Sequence, residues 1–283
     1  MGPDGAGVKQ ERASGRRAPG REDGPTDRLI DILQCLTHDT PRLTAAEISA
    51  ATRVPRSTTY RLLARLEHRG LLARDARTGR YFPGLQLLKL GAVASAQMEL
   101  REIAHPVVIE LLRQTGETVN LSVYHDGYRV CVEKADSIHD IRGVIHVGKP
   151  YPLHAGAAGK AILAFLPRDA ADRVFREQKL PRFTARTQTR RVPLQASLAE
   201  IRRDGVAVTV GERVDGATAV SAPVFDAHGA VVASLTVSGP SFRFTPERIK
   251  EYRDLVKGAA NRLTRAVGGQ PPAAGERVTA GSS

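Results

Sequence analysis

The chain has 283 residues, 41% of them hydrophobic, and a formal net charge of +12. That length accommodates two domains, each with its own core, and no apolar run approaches the roughly twenty residues of a membrane span, so a soluble protein is expected. The two cysteines, Cys35 and Cys131, belong to no CxxC or Cys/His cluster, which argues against a disulfide framework or structural zinc and fits a reducing cytoplasm.

Residues 1–25 contain no aromatic residue or leucine and are rich in Gly, Arg and Pro, the composition of a disordered tail and not of a secretion signal. The next segment, "TDRLIDILQCLTHD", places Leu29, Ile32, Leu33 and Leu36 on one helical face. In "LTAAEISAATRV", Thr44 and Glu47 stand at capping-box spacing and open a second helix. Pro55 then suits the first position of a third helix, "PRSTTYRLLARLEHRG", whose buried stripe is Leu62, Leu63 and Leu66. The opposite face carries Ser57, Tyr60, Arg61, Ala64 and His68, with Arg56, Thr58 and Arg65 on its flanks. Gly70 stops that helix, and "LLARDARTGRYF" supplies two short strands joined by a turn at Asp75 and Gly79.

Between Pro41 and Arg80 there are nine arginines against three acids, so much of the positive charge sits on these elements. Two short helices with a tight turn, followed by a basic hairpin, have the geometry of a winged helix-turn-helix that enters the major groove of double-stranded DNA. Ser57, Thr58 and Arg61, beside Tyr60, are placed for base edges. Arg56, Arg65, Arg77 and Arg80 are placed for phosphates.

Farther on, Leu100, Ile103, Val107 and Leu111 mark an amphipathic helix in which Pro106 predicts a break or kink; this helix and "GLQLLKLGAVA" are candidates for a dimer contact. Val119, Leu121 and Val123 alternate with polar residues before the turn Asp126-Gly127, and "RVCVEKA" returns, which predicts a hairpin with one buried face. "HAGAAGKAILAFLP" has His154 where a phosphate-cradling Walker loop needs its first glycine, and Ala161 where that loop needs a hydroxyl. What remains is a run of small residues leading into a helix whose first N–H groups can receive a carboxylate. "GVAVTV" and "AVVASLTVS" read as strands, "LAEIRRD" and "TPERIKEYRDLVKGAANRLTRAV" as helices, so a sheet packed between helices is expected, without the regular spacing of a Rossmann domain. "GGQPPAAGERVTAGSS", residues 268–283, reads as a second disordered tail.

From about Thr26 to Val267 the sequence resembles the IclR family of bacterial transcriptional regulators. The likeness is carried by the order of "LTAAEISAATRVPRSTTYRLLARLEHRGLLARD", "GRYFPGLQLLKLG", "GETVNLSVYHDGYRVCVEKAD", "GKPYPLHAGAAGKAILAFLP", "LAEIRRDGVAVTVGE" and "SAPVFDAHGAVVASLTVSGP". It implies an α+β chain with a winged helix-turn-helix over 26–84, a linker helix over 85–98 and a GAF-like α/β effector-binding domain over 99–267. It also implies a homodimer, often paired into a tetramer, that binds operator DNA and a small organic-acid effector, with repression the commoner mode. No cofactor, metal or membrane partner is implied. Matching the family's effector pocket selects Tyr151, Gly156, Ala157, Ala158 and Gly159 for one wall; the other takes Thr209, Glu212, Ala217, Ala219, Thr236 and Ser238. Thr209 stands where some members carry an acid and Ala219 where some carry cysteine, which weakens any transfer of small-acid specificity. The rival readings are a GAF-type enzyme with cysteine redox chemistry, and a DNA-binding protein that ignores small molecules. No G-x-S-x-G, H-E-x-x-H or complete phosphate-binding loop accompanies the first of these.

Overall fold

The structure is a computed structural model and describes residues 24–96, 99–177 and 180–270; the expected tails fall almost wholly outside the described residues. The chain forms two compact units, Met1–Lys89 and Leu90–Ser283.

In the first unit α1 (Pro25–Gln34), α2 (Ala45–Thr52) and α3 (Arg56–His68) are followed by β1 (Leu72–Arg74) and β2 (Tyr81–Pro83), an antiparallel pair. Ile32, Ile48, Leu62, Leu63, Leu66, Leu72 and Tyr81 make its core, with Leu29, Leu33 and Leu36 packed against it. The capping box forms as expected: the Thr44 hydroxyl accepts the Glu47 N–H at 3.3 Å, and the Glu47 carboxylate accepts the Thr44 N–H at 2.7 Å. The turn between α2 and α3 is held by one carbonyl. Val54 O accepts from the Ser49 hydroxyl at 2.7 Å and from the Thr59 hydroxyl at 3.1 Å, while Arg53 takes a left-handed φ of 60°. Pro55 is the residue before the helix and not its first member, a shift of one position that still uses its missing N–H at an end where it costs nothing. Past α3, Gly70 adopts φ 69°, which a residue with a Cβ rarely accepts, and the chain turns into the hairpin.

The helix α4 (Leu85–Ala96) begins in the first unit and ends in the second. In the second unit α5 (Glu99–Thr115) leads to a six-stranded antiparallel sheet in the order β5-β4-β3-β8-β7-β6. Its strands are β3 (Thr118–His125), β4 (Tyr128–Ala135), β5 (Pro150–Pro152), β6 (Ala207–Val210), β7 (Ala217–Phe225) and β8 (Val231–Pro240). Between β5 and β6 lie α6 (Ala157–Leu163), α7 (Arg168–Glu177) and α8 (Arg191–Asp204); α9 (Pro246–Ala266) closes the described chain. The helix α5 is continuous through Pro106, so the expected break is absent. A proline there removes a single N–H, and Ala104, Val108 and Leu111, all fully buried, anchor the helix on both sides of it.

Alternation along the strands sorts the side chains. Val119 and Leu121, Val220, Ala222 and Val224, and Ala233, Leu235 and Val237 join one core with Val108, Leu111, Val256 and Leu263 of α5 and α9. The alternate positions, Asn120 and Ser122, Ser221, and Ser234 and Thr236, are polar and also buried. The expectation of a hairpin with a single buried face is therefore corrected, because α6 packs over the other face and α8 packs on α6. Hydroxyls on a polar sheet face under a helix are costly unless paired internally, and of those here Ser234 Oγ has no hydrogen-bond partner. Ser221 pairs with the Leu235 carbonyl and the Thr236 hydroxyl.

Candidate functional site

The cationic face lies on α3 and the hairpin. Its leucine stripe is buried, and Arg56, Ser57, Tyr60, Arg61, Ala64, Arg65 and His68 are exposed, with Thr58 half-buried. No side chain caps the N-terminus of α3, so its first N–H groups remain available to an anion. The wing turn is built by Asp75, whose carboxylate accepts the N–H groups of Thr78 and Arg77 at 2.9 and 3.0 Å, and these bonds hold its carboxyl below the ordinary range. Arg77 is thereby presented at the exposed tip. Arg80 is placed differently from the other expected phosphate contacts. Its guanidinium donates to the Arg42 carbonyl at 3.0 Å and pairs with Glu47 at 3.1 Å, tying the wing to the start of α2. Arg74 stacks on Tyr81, with its guanidinium 5.6 Å from the ring centroid.

In the second unit the polar sheet face, the start of α6 and the loops 141–145 and 212–216 enclose a cavity of about 290 Å³. Nine expected residues line it: Gly156, Ala157 and Ala158 on one side, and Thr209, Glu212, Ala217, Ala219, Thr236 and Ser238 on the other. Two do not. Gly159 is a packing glycine: a Cβ built on it would stand 2.5 Å from the Leu153 carbonyl oxygen, and α6 is buried along its whole length. Gly159→Ala is expected to reduce unfolding free energy by about 1–3 kcal/mol, as overpacking against backbone does, which urea denaturation followed by circular dichroism would measure. Tyr151 lies outside the lining, 5% exposed, with its hydroxyl accepting the His146 N–H at 3.2 Å and the Arg129 and Arg213 guanidiniums 4.7 and 5.0 Å from its ring centroid.

Glu212 has a role the sequence did not reveal. Its carboxylate pairs with the fully buried Lys160 ammonium at 2.5 Å and accepts the Gly156 N–H at 3.3 Å, so a side chain of the protein already occupies the outermost N–H at the start of α6. Burial pushes the lysine below its ordinary pKa, and Glu212 opposes that push. Gln188 also accepts from the ammonium, at 3.0 Å. Arg129 and Asn120 line the cavity as well and were not expected. Arg129 was hidden in a strand pattern that reads simply as alternation. The thiols are poor candidates for redox work: burial pushes both Cys35 and Cys131 up to about 11, which suppresses the thiolate. Among the described residues no group of three or more His, Cys, Asp or Glu is placed to hold a metal ion, and no helix is long and apolar enough to cross a membrane.

Comparison with known proteins matches residues 25–76 to the family model "IclR helix-turn-helix domain" and residues 92–265 to "Bacterial transcriptional regulator IclR C-terminal". The HTH-type transcriptional repressor AllR of Klebsiella pneumoniae is 31% identical over 268 residues, covering 94% of this chain and 98% of its own. Among solved structures, an IclR-type regulator from Silicibacter sp. superposes with a TM-score of 0.78 at 26% identity, over 88% of this chain and 98% of its own. An IclR homologue from Microbacterium hydrocarbonoxydans, complexed with 4-hydroxybenzoate, shares the fold with a TM-score of 0.73 at 23% identity, over 86% of this chain and all of its own.

Proposed function

This chain belongs to the IclR family of bacterial transcriptional regulators, and we propose that it works as a homodimeric repressor released from its operator by a small organic acid. The observation that carries the DNA half is the exposed arginine face of α3, set opposite a buried leucine stripe and beginning at an uncapped helix end. In this reading Ser57, Thr58, Tyr60 and Arg61 meet base edges in the major groove, and Arg56, Arg65 and Arg77 meet phosphates. Arg80 instead braces the wing, since its guanidinium is already committed to Glu47 and the Arg42 carbonyl. Leu85 and Leu88, 65% and 69% exposed at the start of α4, supply apolar surface for the dimer contact.

The effector half is supported by the cavity and its cationic lining. The Microbacterium homologue, which shares the fold, is complexed with a carboxylic acid. A ligand moves a two-state regulator only by binding one state better than the other. Loss of retention of the protein's own promoter fragment on addition of an organic acid would support the proposal; retention unchanged across a broad panel of acids would sink the effector half. On the DNA side, Arg77→Ala is expected to weaken binding equally on specific and random duplexes and to flatten the salt slope by about one unit, measured by fluorescence anisotropy across a salt series.

A further inference from the structure

A buried arginine without a carboxylate stands in the wall of the cavity. Arg129 of β4 is 3% exposed, donates through Nη1 to the Ser122 hydroxyl at 3.1 Å, and leaves Nε buried with no hydrogen-bond partner. Burial and the nearby Arg213 push it down to about 10. Arg213, also in the lining and also lowered by burial, lies over the same Tyr151 ring. Glu212, an acid of the same lining, does not neutralise them: its carboxylate is spent on Lys160 and on the Gly156 N–H. The other acid at the cavity, Asp215, is exposed, and a third arginine, Arg142, stands in the lining as well.

A buried cation is costly unless it is paired, and a hydrophobic residue of similar volume would serve packing better. Guanidiniums match carboxylates in a two-point fork, which makes the absent counter-charge a statement about the ligand. We propose that the effector is a small dicarboxylate, with one carboxylate seated on Arg129 and the other on Arg213. This rests on the organic-acid reading above and narrows it. A monocarboxylate would leave one of the two guanidiniums uncompensated. The volume of about 290 Å³ admits only a small molecule. The start of α6, which the sequence offers as the carboxylate seat, gives up its outermost N–H to Glu212.

The test is calorimetric titration of the full-length protein with succinate, glutarate and phthalate against butyrate, valerate and benzoate, together with the monomethyl esters of the three diacids. At least one diacid is expected to bind on the order of tenfold to a hundredfold more tightly than its monoacid and its monoester, the loss expected for one charged hydrogen-bonding group. Arg129→Met and Arg213→Met should each erase that ratio, and Arg129→Met should raise the melting temperature of the ligand-free protein. Monoacids binding as well as diacids would overturn the dicarboxylate proposal while leaving the organic-acid reading intact. Binding by neither class would overturn both, and a diacid preference surviving in both arginine variants would remove the assignment of the seat. If Arg129→Met fails to fold, the ligand ratios on the unmodified protein and on Arg213→Met decide the matter.

Discussion

Replacing Arg56, Arg61 and Arg65 together by alanine is expected to abolish operator retention at physiological salt, a loss of roughly a hundredfold or more in affinity. Arg61 projects from the face opposite Leu62 and Leu63, and a base-edge contact by arginine contributes about 1–3 kcal/mol of discrimination. Arg56 and Arg65 flank it, and losing two phosphate contacts flattens the salt slope by about two units. All three side chains are exposed, so the melting curve of the variant should lie close to that of the parent. The single change Arg61→Ala separates the two contributions: it should relax sequence preference with little effect on binding to random DNA. Full retention of the operator by the triple variant, measured by mobility shift at physiological salt, would remove α3 from the interface.

The second large effect is on stability. Lys160→Met is expected to destabilise the second unit by about 3–5 kcal/mol, because it leaves the Glu212 carboxylate without its partner. Lys160 is 1% exposed, and its ammonium lies 2.5 Å from Glu212 and 3.0 Å from Gln188. Burial disfavours the ammonium more than the ion pair favours it, since its pKa lies below the ordinary value despite the neighbouring carboxylate. The pair is therefore a device for placement more than for stability. It holds the 212–216 segment, which lines the cavity, against the start of α6. The double variant Lys160→Met, Glu212→Gln should recover most of the loss, because no unpaired charge remains. Urea titration of the single and double variants checks this; equal losses in both would show that packing of the lysine stem, and not its charge, is what matters.

Much of the first unit was legible because its signals are local. Thr44 and Glu47 are three residues apart, the leucines of α3 repeat at helical spacing, and Gly70 sits where the helix must stop. What it did not show is that Arg80 pairs with Glu47, thirty-three positions away, while its neighbour Arg77 is exposed at the wing tip. In the second unit, nine of the eleven expected pocket residues do line the cavity, and the matched positions came from resemblance, not from periodicity. The two that do not, Tyr151 and Gly159, serve it from behind: one ring carries two guanidiniums, and one missing Cβ lets α6 close on Leu153.

By itself the sequence determined the apolar alternation of β3, the start of α2 and the end of α3, and where the positive charge concentrates, because each of these depends on spacings of a few residues. Only the tertiary structure decided what covers the polar side of the sheet. Asn120, Ser122 and Thr236 alternate with core residues as they would on a solvated face, yet α6, from a distant part of the chain, lies over that side and turns it into a walled cavity. Alternation reports the polarity of a face and carries no information about the distant segment packed on it, so neither the burial of Arg129 nor its lack of a counter-ion could be read before the chain was folded.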